Sequence, residues 1–267
     1  MEANKIPNWE GVEEAISGLR AKYAKRSLVF RGQSNSEWPL TNTLERNGQG
    51  NMTFLDFYRL IVTRVGPAVE TFTGVSVPEY SKEVWDSFSD HELLSLRRFP
   101  PQALYRYMVY LRHHGFPSPL LDWSRSPYVA AFFAFRDQNI GVESRSIYAY
   151  CEMPEGHKGG AVGEPTIQRI GPYVRSHRRH FLQQSDYTIC GAFDANYGWH
   201  FYSHQEVFSR TRPEQDALWK FDVPSSERLK VLRLLDDYNL NASSLFGSEE
   251  SLLETMWFRE QVLRNPS

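Results

Sequence analysis

Cysteine is nearly absent from the 267-residue chain, with Cys151 and Cys190 the whole supply. Each sits in an apolar, β-prone stretch ("IYAYCEM" and "YTICGAF") without metal-ligand spacing, which argues against a disulfide scaffold and predicts two buried free thiols in a reducing compartment. No apolar run approaches the roughly 20 residues that cross a bilayer. The opening "MEANKIPNWE" also lacks a basic region followed by an apolar run, so a cytoplasmic protein with no membrane partner is expected. Charge of one sign is missing too: 30 Lys and Arg face 32 Asp and Glu, a formal net charge of -2. No overall field draws this chain to nucleic acid, and such a partner needs a local patch. Glycine-rich phosphate loops, helices with paired zinc histidines and nucleophile elbows are absent. So are internal repeats and long Gly/Ser/Pro linkers, which leaves one domain over residues 1–267.

Aromatic residues are plentiful, at 14%, and suggest aromatic-walled grooves as well as a core. Asn8 caps a first helix with Val12, Ile16 and Leu19 on one face. "SLVFRG" reads as a short strand stopping at Gly32, followed by an Asn-, Ser- and Pro-rich loop. Residues 53–72 have helical spacing interrupted at Pro67. "PPQALYRYMVYLRHHG" is a second helix ending at Gly115. "LLDWSR" then feeds a helix capped by Ser126 with Pro127 in its first turn. After Phe135, "SIYAYCEM", "SDYTICGAF", "GWHFYSHQEVF" and "ALWKFDVP" read as strands, and the end reverts to helices opening on serines. The class is α+β: a helical N-terminal part, a mostly antiparallel β core and C-terminal helices.

Chemistry concentrates in three stretches. Arg31 ends an apolar strand; its fork of donors suits an anion, and Gly32 would let a ligand approach the backbone. The alternative is a structural arginine paired with a carboxylate such as Asp122. Gln33 shares its face. In "HHGFPSPLLDWSRSP", the simplest reading makes Ser126 a cap, His113 and His114 helix-terminal cations, and Trp123 core. Asp122, after two leucines, needs a cation or several N–H donors. "RSHRRHFLQQSDYTIC" carries Arg175, His177, Arg178, Arg179 and His180, either a solvated face or a phosphate contact. Gln183 and Gln184 can orient a hydroxyl but cannot serve as a base. Asp186, Glu206 and Glu214 are the nearest carboxylates.

Together, "VFRGQSNSEWPL", "HHGFPSPLLDWSRSPYVAAFFAF", "FLQQSDYTI" and "LLDDYNLNASSLF" resemble the FRG domain family, whose aromatic-Arg-Gly motif Phe30, Arg31 and Gly32 match. A weaker similarity runs to Arg-Ser-Glu ADP-ribosyltransferases. It implies an ADP-ribosyltransferase-like β core and NAD as substrate, with no metal. It also implies catalytic roles for Arg31, Ser124, Gln183, Asp186 and Glu214, with Gln33, His113, Asp122, Trp123, Ser126 and Gln184 around the cofactor. Arg31 would hold phosphates or the nicotinamide ribose, Ser124 or Ser126 would brace the nicotinamide pocket, and the polar pair would meet ribose and acceptor. Such a reaction needs a carboxylate near a ribose that develops positive charge. Gln183, Gln184 and Ser185 stand where those transferases carry glutamate. The implied activity is ADP-ribose transfer to a protein or nucleic-acid acceptor, which Arg175, Arg178 and Arg179 could touch. The alternatives are NAD hydrolysis or a nucleotide- or protein-binding module without turnover. Arg31, Asp122, Ser124 and Gln183 are expected to line one cleft.

Overall fold

The strand bearing Arg31 runs one residue past Gly32. In the computed structural model, which describes residues 3–94, 97–138, 141–159, 163–210 and 212–263, β1 (Ala3–Lys5) leads into α1 (Trp9–Lys22), and β2 spans Val29–Gln33. Five helices follow before the sheet resumes: α2 (Thr43–Arg46), α3 (Phe54–Arg59), α4 (Gly66–Thr73), α5 (Lys82–Ser87) and α6 (Gln102–His113). A π-helical turn at Leu60–Val65 joins α3 to α4 and absorbs the irregularity before Pro67, which sits in the first turn of α4 where its missing N–H costs nothing. β3 (Leu121–Ser124) is a full strand and enters α7 (Pro127–Phe135).

β4 (Ser144–Glu152), β5 (Thr166–Arg169), α8 (Arg178–Leu182), β6 (Ser185–Asp194), β7 (Gly198–Phe201), α9 (His204–Ser209) and β8 (Asp216–Pro224) complete the middle of the chain. α10 (Arg228–Asp237), α11 (Ala242–Phe246) and α12 (Glu249–Trp257) close it. "GWHFYSHQEVF" is therefore half strand and half helix, because the chain turns at Ser203 and the apolar Val207 and Phe208 pack from α9 onto the sheet. Asn8, Ser126 and Ser248 each accept a bond from a first-turn N–H, as their positions before apolar periodicity dictate. Both cysteines are buried free thiols. Among the described residues no helix is long and apolar enough to cross a membrane.

The strands form one sheet in the order β1-β8-β4-β2-β3-β6-β5, with β7 on the far half of β6. Every pairing is antiparallel except β1 with β8. It draws strands from both halves of the chain, so the N-terminal part contributes to the sheet as well as to the helices. β2 pairs with β4 along its whole length, and β3 pairs fully with β6. Between β2 and β3, however, Phe30 opposite Ser124 is the one registered pair among the described residues. Past that point the strands part and leave a seam in the sheet.

The seam separates two cores. Phe30, Ile147, Ala149 and Phe221 pack with α1, α7 and α10 on one side of it. Tyr187, Ile189, Trp199 and Phe201 pack with α3 and α6 on the other. Because strand side chains alternate, Phe30 and Gly32 face α7 while Val29, Arg31 and Gln33 point the other way, where Tyr148, Tyr150 and Trp123 form a third cluster with α9. Gly32 is needed for packing: a Cβ there would lie 1.9 Å from the Ala130 carbonyl oxygen and 2.6 Å from the Ala134 nitrogen. The backbone that closely approaches Gly32 on this face belongs to α7.

Candidate functional site

A cleft of about 780 Å³ opens along the seam. Arg31, Gln33, His113, Asp122, Trp123, Ser124 and Gln183 all line it, far apart in sequence and brought together by β2, β3 and the turn before β6. Arg46, Arg112 and Arg179 line it as well. These four arginines face two lining carboxylates, Asp122 and the exposed Asp137, so the cleft favours anions although the chain as a whole is slightly acidic.

Arg31 reaches across the seam. Its Nη1 donates to the main-chain carbonyl of Asp122 at 2.9 Å, while its buried Nε has no hydrogen-bond partner. The Asp122 carboxylate goes elsewhere: Arg112 donates to it through both Nε, at 3.2 Å, and Nη2. The structural pairing of Arg31 with the Asp122 side chain is thus replaced by a contact with its backbone, and the cation Asp122 requires is Arg112. Burial pushes the Arg31 guanidinium down to about 10, with nearby Arg112 and Arg46 acting in the same direction and Asp122 opposing. It stays charged at neutral pH. Arg31 is half-buried, and the unused donor at its buried Nε is costly unless something completes its shell. Gln33 adds an unused acceptor: its Nε2 donates to the Pro39 carbonyl at 3.1 Å, but its buried Oε1 has no partner.

Ser124 and Gln183 brace the cleft wall. The Ser124 hydroxyl donates to the Gln183 carbonyl at 2.8 Å and accepts from the Ser126 N–H at 3.1 Å, tying β3 and the start of α7 to the turn before β6. The Gln183 amide donates to the Leu245 carbonyl at 3.2 Å. Trp123 is buried, with its Nε1–H on Thr188 Oγ1 at 2.9 Å.

Four residues expected at the site lie outside the cleft lining. Ser126 accepts from the Val129 N–H as the α7 cap, and Gln184 takes a left-handed φ of 48° with its carbonyl accepting from Arg125 N. Asp186 is fully buried: it lies opposite Trp123 on β6, pointing away from Ser185 and Tyr187, and Arg169 holds it through two bonds of 3.0 and 2.6 Å. Glu214 precedes β8, whose Lys220 is level with Tyr148 and hence with Arg31. From Asp216 to Lys220 alone is roughly 13 Å of extended chain, and Glu214 lies beyond that. Neither acid is placed to serve the cleft; nor is the exposed Glu206 on α9. Of the basic trio only Arg179 lines it, with Arg175 and Arg178 exposed.

Sequence reasoning missed Arg46, Arg112, Tyr187, Asp137 and the half-exposed Trp38 as cleft residues. Arg112 had a signal, since Asp122 demanded a cation and the "RHH" run supplied one. Trp38 had one too, as an apolar ring in a polar loop directly after the Arg-Gly pair.

Histidines add a pH dependence. Burial lowers His113 to about 4 and His204 to about 3, whereas both titrate near 6.5 in an unfolded chain. The unfolded chain therefore takes up these protons first. Their contribution to stability is intact above roughly pH 6.5 and is lost as pH falls toward the folded values. Melting temperature is expected to decline steadily from pH 7.5 to 5, with a shallower slope in His113→Gln. A flat profile over that range would contradict the neutral imidazoles of buried His204 and half-buried His113.

A comparison with protein-family models matches residues 26–141 to the FRG domain. No curated protein and no solved structure matches the chain. The matched segment supplies Arg31, Gln33, His113, Asp122 and Ser124, while Arg179, Gln183, Tyr187 and Phe246 join the cleft from beyond it.

Proposed function

The chain carries an FRG domain, and we propose that the cleft at its sheet seam binds NAD and supports transfer of ADP-ribose to a macromolecular acceptor. The observation that carries this reading is Arg31, a half-buried cation whose buried Nε makes no hydrogen bond and which has no carboxylate partner among the described residues, in a cleft that also presents Arg46 and Arg179. A diphosphate supplies the missing acceptors, because guanidinium forks match phosphate oxygens in geometry as well as charge. The free Gln33 Oε1 suits a ribose hydroxyl or an amide N–H. Trp38, half exposed at the rim, offers a ring on which a base can stack.

The carboxylate for such chemistry is then Asp122, whose position the Arg112 fork fixes and whose side chain keeps 35% of its surface exposed. An ionised carboxylate has about four lone-pair sites, so two bonds from Arg112 leave acceptor capacity for the reacting ribose. Arg178 and Arg175, exposed on the segment that supplies Arg179, give an acceptor protein or nucleic acid something to meet. A binding module without turnover is the second reading. It is favoured by the commitment of the Gln183 amide to Leu245 and by the distance of Asp186 and Glu214 from the cleft.

The test is to titrate the purified chain with NAD while following both melting temperature and nicotinamide release. The transferase reading expects a rise of about 2.7 kcal/mol in stability at 100 times the dissociation constant, with nicotinamide released and ADP-ribose attached to protein or nucleic acid. A thermal rise without release selects the binding module, and release without attachment selects hydrolysis. No rise and no release would remove NAD from the cleft altogether.

A further inference from the structure

One buried chain of hydrogen bonds runs into the cleft wall. His180, 2% exposed, places Nε2 2.8 Å from the Pro172 carbonyl oxygen and Nδ1 3.3 Å from the Tyr187 hydroxyl. That hydroxyl lies 2.9 Å from Nε2 of His113, a lining residue. Tyr187 is 1% exposed and its ring stacks on His180 at 5.8 Å between centroids.

The direction of these bonds follows from what each atom can do. A carbonyl only accepts, so His180 Nε2 carries a hydrogen. A neutral imidazole then has a bare Nδ1, which accepts the Tyr187 proton. With its one hydrogen used, the Tyr187 oxygen accepts from His113, so the hydrogen of His113 is on Nε2. His113 Nδ1 is left as a lone pair, and among the described residues no donor bonds to it. A carbonyl at the far end thus sets the tautomer of an imidazole at the cleft.

We propose that His113 Nδ1 is the proton acceptor of the cleft, taking the proton from the hydroxyl or water that attacks the ribose, with Tyr187 and His180 as positioning residues. The proposal rests on the NAD reading and extends it to the acceptor side. In the step, the bond between ribose C1′ and the nicotinamide nitrogen breaks and its electron pair goes to that nitrogen. The acceptor oxygen bonds to C1′, and the acceptor's proton moves to His113 Nδ1.

The surroundings suit this exchange. Asp122 favours the protonated imidazole, while burial, His177, His180 and Arg112 oppose it. The result is a base near 4, as strong as an ordinary carboxylate. It is unprotonated at neutral pH and places its new positive charge beside Asp122. A neutral base thereby occupies part of the role that the glutamines at 183 and 184 cannot fill.

Two measurements on the full chain test the proposal. Nitrogen-15 NMR of labelled histidines is expected to show His113 neutral at pH 7 with hydrogen on Nε2, changing to the other tautomer or a mixture in Tyr187→Phe. Hydrogen on Nδ1 in the wild type overturns the assignment whatever NAD does. In the release assay, His113→Gln is expected to keep the NAD thermal shift and lose on the order of 100-fold in turnover, with Tyr187→Phe losing less. Unchanged turnover in His113→Gln, with NAD still bound, overturns the base while the NAD reading stands. Failure of the wild type to bind or cleave NAD overturns the proton-transfer step together with that reading, and the NMR result still decides the tautomer.

Discussion

Gly32→Ala is expected to destabilise the protein by more than about 3 kcal/mol, at the upper end of what overpacking costs. In a domain of this size that is a fall of roughly 6 to 12 °C in melting temperature. The cause is the contact between β2 and α7, where the added methyl would overlap the Ala130 carbonyl and the Ala134 nitrogen. Backbone atoms of a helix cannot rotate away as a flexible side chain can. The helix must lift instead, loosening Val129, Ala130 and Phe133 from the sheet and moving the Ser126 cap with it. Gly18→Ala is the control: this glycine is exposed on α1 and a Cβ there would meet nothing within 4 Å, so alanine should stabilise slightly. Equal melting temperatures for the two variants would mean that α7 is not seated on Gly32.

Arg31→Met should do the reverse, leaving the fold intact and removing the cation at the centre of the cleft. Methionine keeps an unbranched stem but removes all five donors. The bond to the Asp122 carbonyl is lost, yet so is a half-buried charge whose Nε makes no hydrogen bond, so the net change in stability is expected to stay within about 1.5 kcal/mol. On the proposed NAD reading, binding is expected to weaken by about 2 to 5 kcal/mol, roughly 30-fold to several thousand-fold. Calorimetric titration together with thermal melting separates the outcomes. Unfolding of the variant would make Arg31 a structural rivet, and undiminished NAD affinity would place the phosphates elsewhere. Arg31→Lys should restore little, because a single ammonium cannot reproduce the fork.

What could be read from sequence was local. Asn8, Ser126 with Pro127, and Ser248 announce helices because a cap acts over three residues, and Gly115 announces an end because its φ of 84° suits glycine. The strands around Cys151 and Cys190 were legible from β-branched and aromatic density. Strand order was not. Asp186 shares a face with Trp123 and, through the Phe30–Ser124 pair, with Arg31, and what keeps it from the site is the placing of β3 between β2 and β6, which sets it beside Arg169 of β5 instead. The same holds for Asp122: a carboxylate after two leucines needs a cation, but choosing Arg112 over Arg31 requires the position of α6 relative to the sheet. The bond network of His113, Tyr187 and His180 spans separate elements and has no signature along the chain.

The seam between β2 and β3 also bears on mechanics. The flanking cores share few backbone ties across it, so the molecule resembles two covers joined at a narrow spine. A ligand gripped by Arg31 on one cover and by Arg112, carried by α6, on the other acts as a clasp. Some of its intrinsic affinity then goes into quieting the motion of the covers, and measured affinity understates the strength of the grip. Unfolding, too, should become more concerted once the clasp is in place, since neither half can then open alone.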